Sequence, residues 1–400
     1  MARLATPFSR ARGPLIARGL WVAAVLLVTA CARNVAAPPP VVQAPQPGLP
    51  PYGQPAVPQP QKVALLLPLS GPNAAIGQPM LDAAQLALFD VAGEQFELLP
   101  RDTKGTPGGA ADAARQAIAE GARLILGPLF AQEVQAVKPI ASGAGVDVLA
   151  FSNDATLAGN GTYVMGLVPG DLVMRVAGYA RSRGVSRFVA LVPRNPYGDA
   201  VVNALQMSTQ RVGGQVTQVE RYEATLSDPA IPARQVAQAP VAPQAVVLAE
   251  SGERVKALSS AMLAAGVDPG RVKLLGAAVW DEPGLGREPA MVGAWFAAPA
   301  PEQRADFEAR YESMYGRKPP RVATLAYDAT ALAGALAQMG GPVPYDRANL
   351  TNPNGFAGVD GLFRLRSDGL VERGLAVLEV TPDGSRVLDP APLSWEMLGQ

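Results

Sequence analysis

Histidine is absent from the 400 residues, and cysteine occurs once. The first absence removes the usual general base, the commonest zinc ligand and every histidine-containing catalytic triad. The second removes intrachain disulfides and paired-cysteine metal sites. Two carboxylates could still serve as acid and base, but the expectation is a protein that is not an enzyme and uses neither cofactor nor metal. Charge is sparse as well: 17% of residues carry one, with 34 basic against 34 acidic. Positive charge is not clustered as phosphate recognition requires, so no nucleic-acid partner is expected. Apolar residues make up 48% of the chain, enough to build the cores of two ordinary domains.

Long hydrophobic runs are missing too. Arg3, Arg10, Arg12 and Arg18 precede the apolar stretch Gly19 to Val28, which is about half the roughly 20 residues a spanning helix needs. A basic start, a short apolar core and small residues describe a signal peptide, here residues 1–30. Val28, Thr29, Ala30 and Cys31 resemble the lipobox of bacterial lipoproteins. The resemblance implies that Cys31 is acylated and anchors the mature chain to a membrane. Ala32 stands where an aspartate would favour the inner membrane, so the expected location is the periplasmic face of the outer membrane. Residues 31–61 contain ten prolines and no charge beyond Arg33, which describes an extended tether.

From Lys62 the texture changes. "KVALLLPL", "FELLPRD", "RLILGPL" and "VDVLAF" read as buried strands, and the stretches between them read as helices. In the first helix Ile76, Met80, Ala83, Ala87 and Val91 share one face. "RFVALVPR", "QAVVLAES" and "RVKLLGAAVW" repeat the scheme, and Gly266 is placed to end the helix that carries Val255, Leu258, Met262 and Ala265. Strand–helix alternation predicts an α/β fold with parallel sheets covered by helices on both faces. The alternation breaks within "DEPGLGREPAMVGAWFAAPAP". Two helices follow with no strand between them, and a hairpin is expected around "SDG" near the end.

Six segments, in order, resemble the type I periplasmic binding proteins of the leucine-binding group: "KVALLLPLSGPNAAIGQPMLDAAQLA", "LILGPLF", "VLAFSN", "VALVPRNPYGDAVVNAL", "LAYDATALAGAL" and "GVDGLFRLRSDG". The resemblance implies two doubly wound lobes joined by three crossovers around a ligand cleft. Residues 62–168 with 300–345 would form lobe 1, and 169–299 with 346–400 lobe 2. Within that group "LLPLSG", "GPL" and "PRNPYGDAVVNA" resemble the LpoA-type penicillin-binding protein activators, which are outer-membrane lipoproteins. This implies a regulator of peptidoglycan synthesis with a penicillin-binding protein as partner. The alternative is the solute receptor of an ABC importer for amino acids or another small polar ligand held in the cleft.

The candidate cleft residues follow strand ends. Ser70 and Gly71 could hold an anion with their amides, or Ser70 or Asn73 could simply cap the next helix. By the resemblance, Phe130 and Ala131 replace hydroxyls that would meet an amino acid's carboxylate, while Ser152, Asn153 and Thr156 remain available. Tyr197 could stack on a ligand or close a turn. Glu250 and Ser251 end a strand facing the same opening, and Trp280 is either a cleft wall or core. The basic stretch Tyr315–Arg321 reads as a solvated loop.

Overall fold

The computed structural model describes residues 60–395 apart from 92, 94, 224, 226, 278–279 and 282–283; the expected signal peptide, Cys31 and most of the tether lie outside them. The first apolar run forms β1 (Gln61–Leu67), followed by α1 (Ala74–Val91), β2 (Phe96–Asp102), α2 (Pro107–Ala119), β3 (Leu124–Leu126), α3 (Ala131–Ala144), β4 (Asp147–Ala150) and β5 (Thr162–Val164). These strands pair in parallel in the order β2-β1-β3-β4-β5. Both faces are covered, which is why the strands are continuous apolar runs and not alternating ones. Met80, Ala83 and Ala87 of α1 are fully buried, as their spacing predicts.

The chain then repeats the winding with α4 (Pro169–Ser182), β6 (Arg187–Pro193), α5 (Pro196–Val212), β7 (Gln215–Tyr222), α6 (Ala230–Ala237), β8 (Ala245–Leu248), α7 (Gly252–Ala264), β9 (Lys273–Gly276) and β10 (Trp295–Ala298). Their order, β7-β6-β8-β9-β10, reproduces that of the first sheet. Gly266 takes a φ of 92° just past α7 and ends it as expected. Among the strands to this point, β5, β7 and β10 lie in stretches where the sequence reading expects no strand. β7 is a half-buried edge strand whose apolar residues, Val216, Val219 and Tyr222, fall three apart across an irregularity in its pairing with β6, and β10 lies inside the glycine- and proline-rich break.

Two helices, α8 (Pro301–Tyr315) and α9 (Ala323–Gln338), carry the chain back to the first sheet. There Leu325, Ala329, Leu332 and Ala333 join the core of β1 and α1. Tyr311 and Tyr315 donate their hydroxyls to the Asp82 carboxylate and carbonyl at 3.2 and 2.9 Å, fixing α8 on α1. The short α10 (Arg347–Leu350) precedes a small antiparallel sheet, β11 (Phe356–Gly358), β12 (Gly361–Leu365) and β13 (Val371–Arg373). β14 (Ala376–Thr381) and β15 (Gly384–Asp389) then extend the second sheet beyond β10.

The hairpin around Ser367–Gly369 corrects the expected partition. The sequence places all of 346–400 in lobe 2, yet Phe363, Leu365 and Val371 pack in the core of the first sheet. Its turn is pinned to the edge strand β5: the Val164 amide donates to the Gly369 carbonyl at 2.8 Å. At Gly369, with φ of 87°, an added Cβ would lie 2.2 Å from the Gly159 nitrogen, so a larger residue is excluded there. The chain therefore passes between sheets after β5, after β10 and after β13.

Candidate functional site

Both sheets have their strand order reversed beside the first strand, so each opens a crevice at its carboxyl edge. The turns leaving these edges face each other across a cavity of about 680 Å³. From the first sheet come Leu129, Phe130 and Ala131 after β3, and Phe151, Ser152 and Asn153 after β4. From the second come Tyr197 after β6, Ser251 after β8 and Ala277 after β9. The crossing segment supplies Gly166, Leu167, Pro169 and Leu172, and the start of α9 supplies Arg321, Val322, Thr324 and Leu325. Gly166 runs so close to β4 that a Cβ would lie 2.4 Å from the Ser152 carbonyl oxygen.

The structure brings together five of the expected residues, namely Phe130, Ser152, Asn153, Tyr197 and Ser251. Tyr197 presents its ring, since its hydroxyl is already committed: it donates to the Ala277 carbonyl at 2.9 Å. Burial, reinforced by Glu250, pushes this phenol above its ordinary pKa. Ser251 occupies the residue before α7 without bonding the helix through its side chain, which leaves its hydroxyl for other use. Ser152 is buried and accepts from the Asp154 amide at 3.2 Å.

The other five do not line the cavity, for identifiable reasons. The amides of Leu69 and Ser70 point at an anion, but it is the protein's own: Asp102 accepts from them at 2.9 and 3.2 Å, and from the Ser70 hydroxyl and the Lys104 amide. Burial raises this carboxyl and those four hydrogen bonds outweigh it, holding Asp102 below the usual aspartate range. Ser70 and Gly71 thus complete an internal turn, and the Asn73 carbonyl starts α1 by accepting from Ile76 and Gly77. Thr156 bonds Asp154 and faces a separate shallow cavity beside Lys138 and Pro139. Glu250 is consumed by Tyr222, whose hydroxyl donates to it at 2.8 Å, with Arg254 3.6 Å away. Trp280 is core: it is 2% exposed, packs near Phe296 and donates its indole N–H to the Glu250 carbonyl at 2.8 Å.

Sequence reading missed the charged corner of the cavity. Arg321, expected in a solvated loop, lines the wall and donates from Nη1 to Asp360 at 3.0 Å. Asp360 is 2% exposed and accepts also from the Thr324 hydroxyl. Burial pushes its carboxyl up, against the pull of Arg373. Behind it lies the fully buried Asp328, 3.9 Å from Arg373. The signal available in sequence was the basic stretch ending at Arg321, without any indication of its partner 39 residues on.

Asp171, in the first turn of α4 beside the cavity residues Pro169 and Leu172, is pushed up to about 6 by burial, with Arg366 opposing and Glu372 reinforcing. Its raised folded pKa makes the stability contribution complete below the ordinary value of 3.8. That contribution is lost as pH rises toward 6, because only the unfolded chain then releases the proton. Asp171→Asn is expected to remove this decline, worth up to about 3 kcal/mol. Melting curves from pH 4 to 7 that keep the wild-type slope in the variant would contradict the assignment.

A second cavity of about 590 Å³ lies at the opposite edge of the first sheet, against Gln61 and Asp147, the first residues of β1 and β4. It is at the amino ends of the strands, where open α/β sheets do not place ligands.

With this geometry the comparisons agree. Residues 60–385 match the family described as periplasmic binding protein. A putative branched-chain amino acid ABC transporter protein from Rhodospirillum rubrum is 21% identical, covers 82% of this chain and 100% of its own, and superposes with a TM-score of 0.73. The leucine-, isoleucine-, valine-, threonine- and alanine-binding protein from Brucella ovis, in its closed conformation, is 21% identical over 82% of this chain and 94% of its own, with a TM-score of 0.68. An ABC transporter solute-binding protein from R. palustris in complex with benzoate is 19% identical over 84% of this chain and 97% of its own, with a TM-score of 0.63. A curated protein of Rickettsia prowazekii (strain Madrid E), described as uncharacterized, is 24% identical over 162 residues, and the match spans 43% of its length.

Proposed function

We propose that this chain, which belongs to the periplasmic binding protein family, is a noncatalytic receptor that captures one small solute in its cavity and presents it to an ABC importer. The family is leucine-binding-protein-like, and membership carries a periplasmic location. The observation that carries the reading is the cavity itself: its walls come from the carboxyl edges of both sheets, so a ligand there contacts two lobes at once and favours the closed state over the open one. Solved relatives named as ABC transporter solute-binding proteins support this alternative over the activator reading. Acylation at Cys31 would tether the receptor to a membrane through the proline-rich segment.

The test is a ligand screen on the full-length chain, using amino acids, aromatic acids, sugars and polyols, read by thermal shift and confirmed by calorimetry. One chemical class is expected to bind with one-to-one stoichiometry. At a concentration of a hundred times Kd it should add about 2.7 kcal/mol of stability. If no solute binds, while a penicillin-binding protein is captured and its polymerisation rate changes, the receptor reading fails and the activator reading replaces it.

A further inference from the structure

From the way the charges around the cavity are already paired we infer the class of solute: an uncharged molecule with an apolar body and a single hydroxyl or amide head. The inference rests on the receptor reading. Most of the wall is hydrocarbon or aromatic ring, including Phe130, Phe151, Leu172, Leu325 and the ring of Tyr197. A ligand that fills it must be mainly apolar.

An anion finds no unpaired cation. The charged groups among the described lining residues are Arg321 and Asp360, and they balance each other, Nη1 donating to the carboxylate at 3.0 Å. The other guanidinium nitrogens, Nε and Nη2, have no open surface. The partial positive charge at a helix start is the usual substitute for a cation, and α3, α4 and α7 all begin at the cavity, at Ala131, Pro169 and Ser251. Each of them carries an acid of its own in the first turn, namely Glu133, Asp171 and Glu253. Glu133 is 1% exposed and accepts from the Phe130 amide at 3.3 Å and the Thr103 hydroxyl at 2.7 Å. The protein's own carboxylate thus sits at the end of α3, beside the residues where the resemblance would place that of an amino acid.

A cation fares no better. Asp360 has one oxygen on Arg321 and the other on Thr324. Glu250 accepts from the Tyr222 hydroxyl and lies outside the lining, and Glu253 is bonded by Lys256 at 2.7 Å. Charge left without a partner in a mostly apolar enclosure is strongly disfavoured. A carboxylate, an ammonium group, or both together in a free amino acid are therefore selected against.

The groups that stay open are neutral. Asn153 after β4 and Ser251 after β8 are exposed, and no described residue bonds the Asn153 carboxamide or the Ser251 hydroxyl. Both side chains can donate and accept. Coming from the two sheets, they can share one hydroxyl or amide between the lobes.

The test is calorimetry at pH 7 on the full-length chain with two matched sets: phenylacetamide, phenylacetate, 2-phenylethylamine and phenylalanine; and 4-methylpentanamide, 4-methylpentanoate, 3-methylbutylamine and leucine. The amide of at least one set is expected to bind at least 30-fold more tightly than its charged counterparts. Asn153→Ala and Ser251→Ala should each weaken that amide at least fivefold with an unchanged melting temperature, since both side chains are exposed. Equal or tighter binding of an acid, an amine or an amino acid overturns the inference and leaves the receptor reading standing, as does a sugar, polyol or charged solute that proves the tightest ligand in the wider screen. An amide whose affinity neither variant alters overturns the placement of its head. If nothing in the sets or the screen binds, the inference and the receptor reading fall together.

Discussion

Replacing Arg373 with methionine is expected to lower the free energy of unfolding by about 3 to 5 kcal/mol, the range found when one member of a buried ion pair is removed. Arg373 is 7% exposed, donates to the Met165 carbonyl at 2.9 Å and lies over the Phe363 ring. It faces two carboxylates: Asp328, 1% exposed, and Asp360, 2% exposed. Burial pushes both acids up, with Asp360 pushing Asp328 further and Arg373 opposing. Without Arg373, Asp360 would keep Arg321 and the Thr324 hydroxyl, and Asp328 would be left with the Val359 amide at 2.7 Å and the Asp360 backbone. The sign of the pH effect follows. Both folded pKa values rise further above the unfolded value, so stability is retained at low pH and lost as pH increases. The deficit should be larger at pH 8 than at pH 5, and adding Asp328→Asn to the variant should recover part of it. Chemical denaturation at the two pH values decides; equal deficits would show that Arg373 acts through packing on Phe363 and not through charge.

Trp280→Ala should cost a similar about 3 to 5 kcal/mol, the usual range for an aromatic removed from a core, while ligand affinity stays within about threefold. The indole is 2% exposed among Phe296, Leu248, Val255 and Leu258. Its N–H satisfies the Glu250 carbonyl. Truncation opens a void and leaves that carbonyl without its donor, which adds about 1 kcal/mol. Trp280→Phe refills most of the volume and should recover most of the loss except that hydrogen bond. Affinity measured well below the lowered melting temperature separates core from cleft: a loss of tenfold or more would return Trp280 to the ligand wall.

Strand–helix alternation was legible because strands buried on both faces must be apolar throughout, as in "KVALLL" and "AVVL", and because helices between them must show one apolar stripe. Those are properties of a residue and its near neighbours. β7 escaped because its apolar residues, Val216, Val219 and Tyr222, recur every third position and not every second, and β10 because four residues amid glycine and proline carry too little pattern. The same limit governs the site. Phe130, Ser152, Asn153, Tyr197 and Ser251 could be named from sequence since each lies within four residues of a strand's carboxyl end, and the carboxyl edge of a parallel sheet is where the crevice opens. Ser70 has the same local signature, but its amides are spent on Asp102, 32 residues away. Arg321 looked like a solvated cation until the turn between β11 and β12 set Asp360 beside it. Composition and order along the chain therefore determined the fold class and the edge on which a ligand can sit. Which polar groups are free there and which already satisfy one another was decided by tertiary structure, because hydrogen bonds and ion pairs pair groups by distance in space, not by separation in sequence.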